Sequence, residues 1–354
     1  MTTVLALNPG SSSLKATWFD GDDPVTAIRV DGWDGRTVPP EVLWQRPDLV
    51  AIRFVHGGER TEPAVLDDAV TVELAALAPL APLHQPPALR LAAAVRQRWP
   101  ETAAVACFDS AFHSGLPPRA RLCALPRGLA AEHGIRRFGF HGLSLAHATR
   151  RAAELLRRPV EHTGIIVAHL GAGTSVTAVE GGVSVDTSMG FSPSEGLPGR
   201  TRSGSLDPAV LFHLLRRGMS PGDLERTLTT RSGLAGLSGT DGDTRSLLAD
   251  PSRDAAEAVD LYLHRVRREI AAARASLTRF DALVLTGGVA DHNPDLRARV
   301  VAGLRFLGVA GGPEHTDADD VVTAGAPPVF AVRTREDREL ARQARHATRD
   351  RSLR

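Results

Sequence analysis

The chain begins with an apolar run, Val4 to Leu7, that enters the polar stretch Asn8-Pro9-Gly10-Ser11-Ser12-Ser13, after which Leu14, Ala16 and Trp18 alternate with Lys15, Thr17 and Phe19. A rough period of two suits a strand, so the pattern predicts two strands joined by a polar turn. It does not suit a P-loop, which needs G-x-x-x-x-G-K-[ST] at the opening of a helix. A Gly/Ser turn offers backbone N–H and hydroxyl donors to phosphate oxygens, and the same composition also makes an ordinary solvated turn. The pattern returns at Leu170-Gly171-Ala172-Gly173-Thr174-Ser175, which follows the apolar strand Ile165 to Ala168. Two such hairpins suggest an internal duplication. A third apolar strand, Ala282 to Thr286, ends in Gly287-Gly288, backbone that lets a ligand come close. Asp254 to Phe280 places Val259, Leu263, Val266, Ile270, Ala273 and Leu277 three and four apart, which predicts an amphipathic helix. Arg150 to Arg158, closed by Pro159, predicts another, and the basic run Arg335 to Arg354 a terminal helix with a solvated face.

Composition changes this picture only by narrowing it. A length of 354 residues allows two domains, which the boundary signals place at residues 1–143, completed by a C-terminal helix over 338–354, and at 144–337. With 42% hydrophobic and 23% charged residues the chain is of globular type, and a net charge of +1 gives no reason to expect nucleic acid. Cys107 and Cys123 lack C-x-x-C spacing, so neither zinc nor a disulfide framework is indicated and the cytoplasm is the expected compartment. Neither an export signal nor a membrane span is expected, because no basic and apolar leader pattern and no run of 18 apolar residues occurs.

Polar clusters are set into apolar or glycine-rich sequence in a definite order. They are Asn8-x-Gly10-Ser-Ser-Ser-x-Lys15, Arg53-x-Val55-His56-Gly-Gly-Glu59, Leu83-His84-x-Pro86, Phe108-Asp109-x-Ala-Phe-His113, Gly139-Phe140-His141-Gly142, His169-Leu-Gly171-x-Gly173, Asp186-Thr-Ser-Met-Gly-Phe-x-Pro193-x-Glu195-Gly and Thr201-Arg202-Ser-Gly204. Singly, a histidine beside Phe and Gly is usually a core residue and a lone arginine a surface one. Together and in this order they resemble the acetate kinase family, with recognisable matches from residue 4 to about residue 341.

The resemblance implies an α/β ASKHA fold (actin-like ATPase/ribonuclease H-like), duplicated into two domains with an inter-domain cleft and usually a homodimer, the second domain binding nucleotide. It implies reversible phosphoryl transfer between ATP and a short carboxylate, giving ADP and an acyl phosphate, with Mg2+ as cofactor and Mn2+ able to replace it. Arg53 and Arg202 would hold the carboxylate and the moving phosphoryl group, His141 would donate to an equatorial oxygen, and Asp109 would orient the metal shell or the attacking carboxylate. Val55, Leu83, Phe140 and Pro193 match a small, acetate-type acyl pocket. Nucleotide or phosphate contacts fall on Ser11, Ser12, Ser13, Lys15, His169, Gly171, Gly173, Asp243, Thr244, Arg245, Gly287 and Gly288, and metal-linked positions on Asn8 and Glu336. Glu336 also suits an ordinary helix start.

Departures gather on the nucleotide side. Ala172 replaces an expected asparagine; Ala290, Asp291 and His292 replace glycine, glutamate and asparagine; Arg200 replaces glycine; and Leu145 replaces a histidine. The stretch between Asp20 and Arg53 is shorter than in typical members. Besides ATP-dependent acetate kinase, three readings therefore stay open: pyrophosphate as phosphoryl donor with Arg200 adding charge, propionate as substrate, and a non-catalytic homologue.

Overall fold

The structure is a computed structural model, which describes residues 2–10, 13–309, 314–317, 320–323 and 325–349. Ser11 and Ser12, and residues 350–354 of the expected terminal helix, lie outside the described residues. The chain divides into two compact units, one of residues 1–114, 140–147 and 335–354, the other of 115–139 and 148–334.

The first unit is built on strands β1 (Thr3–Pro9), β2 (Ser13–Asp20), β3 (Asp23–Asp31), β4 (Leu49–Phe54), β5 (Ala64–Val65) and β6 (Ala103–Phe108), in sheet order β3-β2-β1-β4-β6-β5. The second is built on β7 (Gly164–Leu170), β8 (Thr174–Glu180), β9 (Val183–Thr187), β10 (Ala282–Thr286), β11 (Glu314–Asp317), β12 (Asp320–Thr323) and β13 (Val329–Ala331), in order β11-β12-β13-β10-β7-β8-β9. Five strands correspond, β3-β2-β1-β4-β6 and β9-β8-β7-β10-β13, each with two antiparallel hairpin pairings followed by two parallel ones. The repeat seen in the two glycine turns is thus a repeat of topology.

Burial explains where the period of two fails. In β2, Lys15 is exposed while Leu14, Ala16, Thr17, Trp18 and Phe19 are all buried. Leu14, Ala16 and Trp18 join Leu5, Ile52 and Leu91 on one face, whereas Phe19 joins Val4, Ala51 and Val105 under Leu340, Ala341 and Ala344 of the helix Glu336–Arg349. A sheet covered on both faces has no polar side to alternate with. In the second unit β7 and β10 are buried along their whole length.

Two helices depart from their expected bounds. The amphipathic helix runs Arg253–Ala275 and stops short of Phe280, because the Thr278 N–H leaves the helical ladder for Glu180 Oε1 at 3.1 Å. The helix expected over 150–158 is instead Gly142–Leu156; its first turn lacks apolar periodicity, and it closes on Arg157 in a left-handed conformation (φ 53°), with the Arg158 N–H returning to the Ala153 carbonyl at 3.0 Å. Among the described residues, no helix is long and apolar enough to cross a membrane.

Candidate active site

In the first unit β1, β4 and β6 lie side by side and parallel, so their carboxyl ends bring Asn8, Arg53 and Asp109 together. This is the edge at which open α/β sheets bind ligands. Arg53 Nε and Nη2 donate to Asp109 Oδ2 at 3.0 and 2.6 Å, and Nη1 donates to Asn8 Oδ1 at 3.0 Å and to Glu336 Oε2 at 3.4 Å. Asn8 Nδ2 closes the ring by donating to Glu336 Oε2 at 2.7 Å. Glu336 is the first residue of its helix, and its side chain is turned into this cluster rather than merely facing the helix dipole.

The cluster sets one guanidinium against two carboxylates in a buried place. Burial raises the Asp109 carboxyl to about 6; Arg53 draws it down and Glu336 pushes it up again. Burial likewise opposes the charge on Arg53, but Asp109 and Glu336 hold its guanidinium above the ordinary value. Asp109 Oδ1 is buried and makes no hydrogen bond of full geometry, although the Leu143 N–H approaches closely enough to draw the carboxyl pKa down. Among the described residues no group of three or more His, Cys, Asp or Glu forms a metal cage. Two carboxylates and an amide nevertheless fit Mg2+, which keeps several waters and binds through one or two carboxylates.

His141 joins this cluster through its neighbour Gly142, whose N–H reaches the Asp109 backbone. It takes φ 63°, a left-handed conformation that costs a non-glycine residue on the order of 1 kcal/mol or more, and its carbonyl accepts from the Leu145 N–H at 3.0 Å to start the helix. Next to it the Gly142 N–H donates to the Asp109 carbonyl at 3.0 Å, and a Cβ at Gly142 would sit 2.1 Å from that oxygen, so only glycine fits. His113 Nε2 meets the Phe140 carbonyl at 2.9 Å; burial pulls its pKa down to about 4, so the neutral ring donates there and fixes the Phe140–His141 turn. Val55 and Phe140 are buried, with the His56 ring edge-on to Phe140 at 5.8 Å, whereas Leu83 is exposed. Ser13 and Lys15 lie on β2, Lys15 exposed.

In the second unit β10 pairs with β7 through Thr286 and His169, which sets Gly287 and Gly288 beside the turn 171–173. Gly287 has φ 94° and a Cβ there would lie 2.5 Å from the Leu170 carbonyl oxygen, while Gly288 has open space around it. The Gly171 N–H closes the turn on the Gly173 carbonyl at 3.1 Å, and the Arg200 N–H donates to the Ala172 carbonyl at 2.9 Å. That contact seats the turn against the segment carrying Arg202, whose Nη1 donates to the Pro193 carbonyl at 3.4 Å. Arg200 itself is forked onto Asp241, Nε to the carbonyl at 2.7 Å and Nη2 to the carboxylate at 2.8 Å. Asp243 caps the helix Thr244–Ala249 and is gripped by Arg245, whose hydrogen bonds hold its carboxyl down to about 2; Thr244 is buried.

The expected residues therefore fall into two groups. Asn8, Ser13, Lys15, Arg53, Val55, Leu83, Asp109, Phe140, His141 and Glu336 belong to the first unit, and Pro193, His169, Gly171, Gly173, Arg202, Asp243, Thr244, Arg245, Gly287 and Gly288 to the second. His113 and Ser110 were not among the expected site residues, yet Ser110 Oγ accepts from the Gly57 N–H at 3.0 Å and so braces the turn after Val55. Both stand in the Phe108–His113 motif, which was the available signal.

The duplicated topology, the buried Arg–carboxylate–amide cluster and the glycine turns at strand ends define a phosphotransferase of the ASKHA type. Comparison with known proteins narrows this. The profile of the acetokinase family matches residues 43–342. An acetate kinase of Clavibacter michiganensis subsp. michiganensis is 45% identical over 396 aligned positions, covering 98% of this chain and 100% of the relative. One from Synechococcus sp. is 38% identical over 395 positions, covering 96% and 97%. Among solved structures, Porphyromonas gingivalis acetate kinase superposes with a TM-score of 0.85 at 28% identity, and a propionate kinase from Francisella tularensis with 0.86 at 27%, each covering 98% of this chain and 100% of the other. The chain belongs to the acetokinase family, and is an enzyme of the acetate kinase type, a phosphotransferase with a carboxyl acceptor.

The raised Asp109 carboxyl has a measurable consequence. A carboxyl that binds its proton more tightly when folded contributes stability that is present below pH 4 and lost as pH rises through about 6. Asp109→Asn removes that titration, so in metal-free protein the variant should gain on the wild type by on the order of 2 kcal/mol between pH 4.5 and 7.5 in denaturant unfolding. An equal stability difference at both pH values would contradict the assignment.

Proposed function

We propose that the protein catalyses the reversible, magnesium-dependent transfer of the γ-phosphoryl group of ATP to acetate, giving acetyl phosphate and ADP. The observation that carries this reading is the buried Arg53–Asp109–Asn8–Glu336 cluster, in which one guanidinium meets two carboxylates and an amide at strand ends. Acetate is ionised at neutral pH, so one of its oxygens attacks the γ-phosphorus as the bond to the ADP oxygen breaks, and no general base is needed. Among the described residues Arg53 uses four of its five N–H donors within the cluster, and the remaining Nη2 proton would serve the substrate carboxylate. His141 would donate to an equatorial phosphoryl oxygen, and Arg202 would supply positive charge as negative charge spreads over the group in flight. Asn8 and Glu336 would hold the magnesium ion and Asp109 would orient its shell; the bound ion would supply charge that neutralises the phosphates. The N–H groups of Ala172, Gly173 and Gly288 suit nucleotide phosphates, those of Gly171 and Gly287 being bonded to the Gly173 carbonyl and to Thr334 Oγ1.

Arg200 favours ATP over pyrophosphate. Its guanidinium is forked onto Asp241 at the surface and so is directed away from a rebuilt anion site. A non-catalytic role would give no use to a strained His141 beside a buried charged cluster. Acetate is favoured over propionate by Val55, which is buried beside the His56–Phe140 pair. For assembly we favour a homodimer, supported by the helix Pro208–Arg216, which buries none of its residues and exposes Val210, Phe212 and Leu215. The cytoplasm, where ATP is available, fits the free cysteines Cys107 and Cys123.

Purified protein with acetate and magnesium should form acetyl phosphate, trapped as the hydroxamate, from ATP and not from pyrophosphate; product from pyrophosphate alone would overturn the donor assignment. Val55→Ala should raise the propionate-to-acetate ratio of kcat/KM about tenfold, within the ~1–3 kcal/mol that one methylene decides, and an unchanged ratio would remove Val55 from the acyl pocket. Sedimentation should find a dimer that Phe212→Asp converts to monomer, whereas a monomeric wild type at micromolar concentration would refute the homodimer.

A further inference from the structure

We infer that Gln85 is a positioning residue that holds the acyl pocket at its width, an inference that rests on the reading of Val55 and Leu83 as pocket residues. After β4 the chain leaves the sheet through residues 55–58, and the polar groups of that turn are tied down one by one. The Gly57 N–H donates to Ser110 Oγ, the Gly58 N–H donates to His56 Nδ1 at 3.0 Å, and the His56 carbonyl accepts from Gln85 Nε2 at 3.0 Å. On one side the turn has no slack, since a Cβ at Gly57 would meet the Phe108 ring at 2.5 Å. Gln85 secures the other side.

Gln85 is fully buried, opens the helix Gln85–Arg98 and follows Leu83 by two residues. Its Nε2 donates a second bond to the Leu74 carbonyl, at 3.2 Å, in the helix Asp68–Ala76. One amide therefore joins the turn that carries Val55, the segment that carries Leu83 and the helix behind them. Its orientation is fixed, because a flipped amide would set Oε1 against two carbonyl oxygens. Oε1 is buried without a hydrogen-bond partner. A buried oxygen left unsatisfied costs stability that an apolar side chain of similar size would not. A residue retained for packing alone would not be a glutamine here, whereas a staple between two backbone segments must be a donor.

The test uses Gln85→Leu and the near-isosteric Gln85→Met in the full-length protein, with kcat and both KM values measured for acetate and propionate and thermal stability recorded alongside. Losing both donations frees the turn, so KM for acetate should rise about tenfold, with kcat and KM for ATP within about twofold and the preference for acetate over propionate reduced. An unchanged acetate KM and acyl preference in either folded variant would overturn the proposal, as would a parallel rise in the KM of ATP, which marks general damage. If Leu does not fold, Met carries the same comparison. Failure of the wild type to phosphorylate acetate would overturn the functional reading and this proposal with it; Val55→Ala altering selectivity while both Gln85 variants do not would overturn this proposal alone.

Discussion

The first unit is organised around a buried guanidinium. Arg53 is taken out of water at the end of a central strand, and a cation there persists only if acceptors surround it. Asp109, Asn8 and Glu336 provide them from three other chain segments, over 300 residues apart at the extremes. The requirement propagates outward. Asp109 must follow β6, the neighbour of β4, and the terminal helix must cross the back of the sheet with Leu340 and Ala344 inward so that its first turn delivers Glu336. Burial is the largest influence on the Asp109 carboxyl, and its raised pKa records the cost of setting it out of water beside a second carboxylate.

That cost separates what holds the fold from what the proposed chemistry would use. Stability comes from the apolar layers on both faces of the first sheet and from the fully buried β7 and β10 of the second. The cluster is a cost borne by those layers, as are the left-handed His141 and the half-satisfied Gln85 amide. These costs fall together at the carboxyl ends of strands, where a ligand carboxylate or a cation would recover part of them.

At the turns proposed to meet the nucleotide, the backbone geometry is in place even where side chains depart from the family pattern. Ala172 brings no amide, yet its carbonyl still accepts from Arg200, the turn 171–173 keeps its closing bond, and Gly287 remains pressed against Leu170. A phosphate contact made by N–H groups and glycine geometry tolerates exchange of the side chains around it. Arg200, an addition by comparison with the family pattern, is absorbed by Asp241 and serves the loop that leads to Asp243.

Local pattern by itself determined the hairpins, the duplication and the motif order, because strand periodicity and glycine turns are short-range properties legible in a few residues. The same motifs, through their resemblance to the acetate kinase family, pointed to Arg53, Asp109, His141 and Arg202 as candidates without any structure. Tertiary structure alone decided that Glu336 is turned into the Arg53 cluster, since a helix start and an ion-pair partner look identical in sequence. It alone decided that Thr17 and Phe19 are buried, because a second covering layer is a long-range event. The part of Gln85 was equally hidden: its neighbours Leu83 and His84 carried the motif, while its own worth lies in two carbonyls 29 and 11 residues away that only the folded chain brings within 3.2 Å.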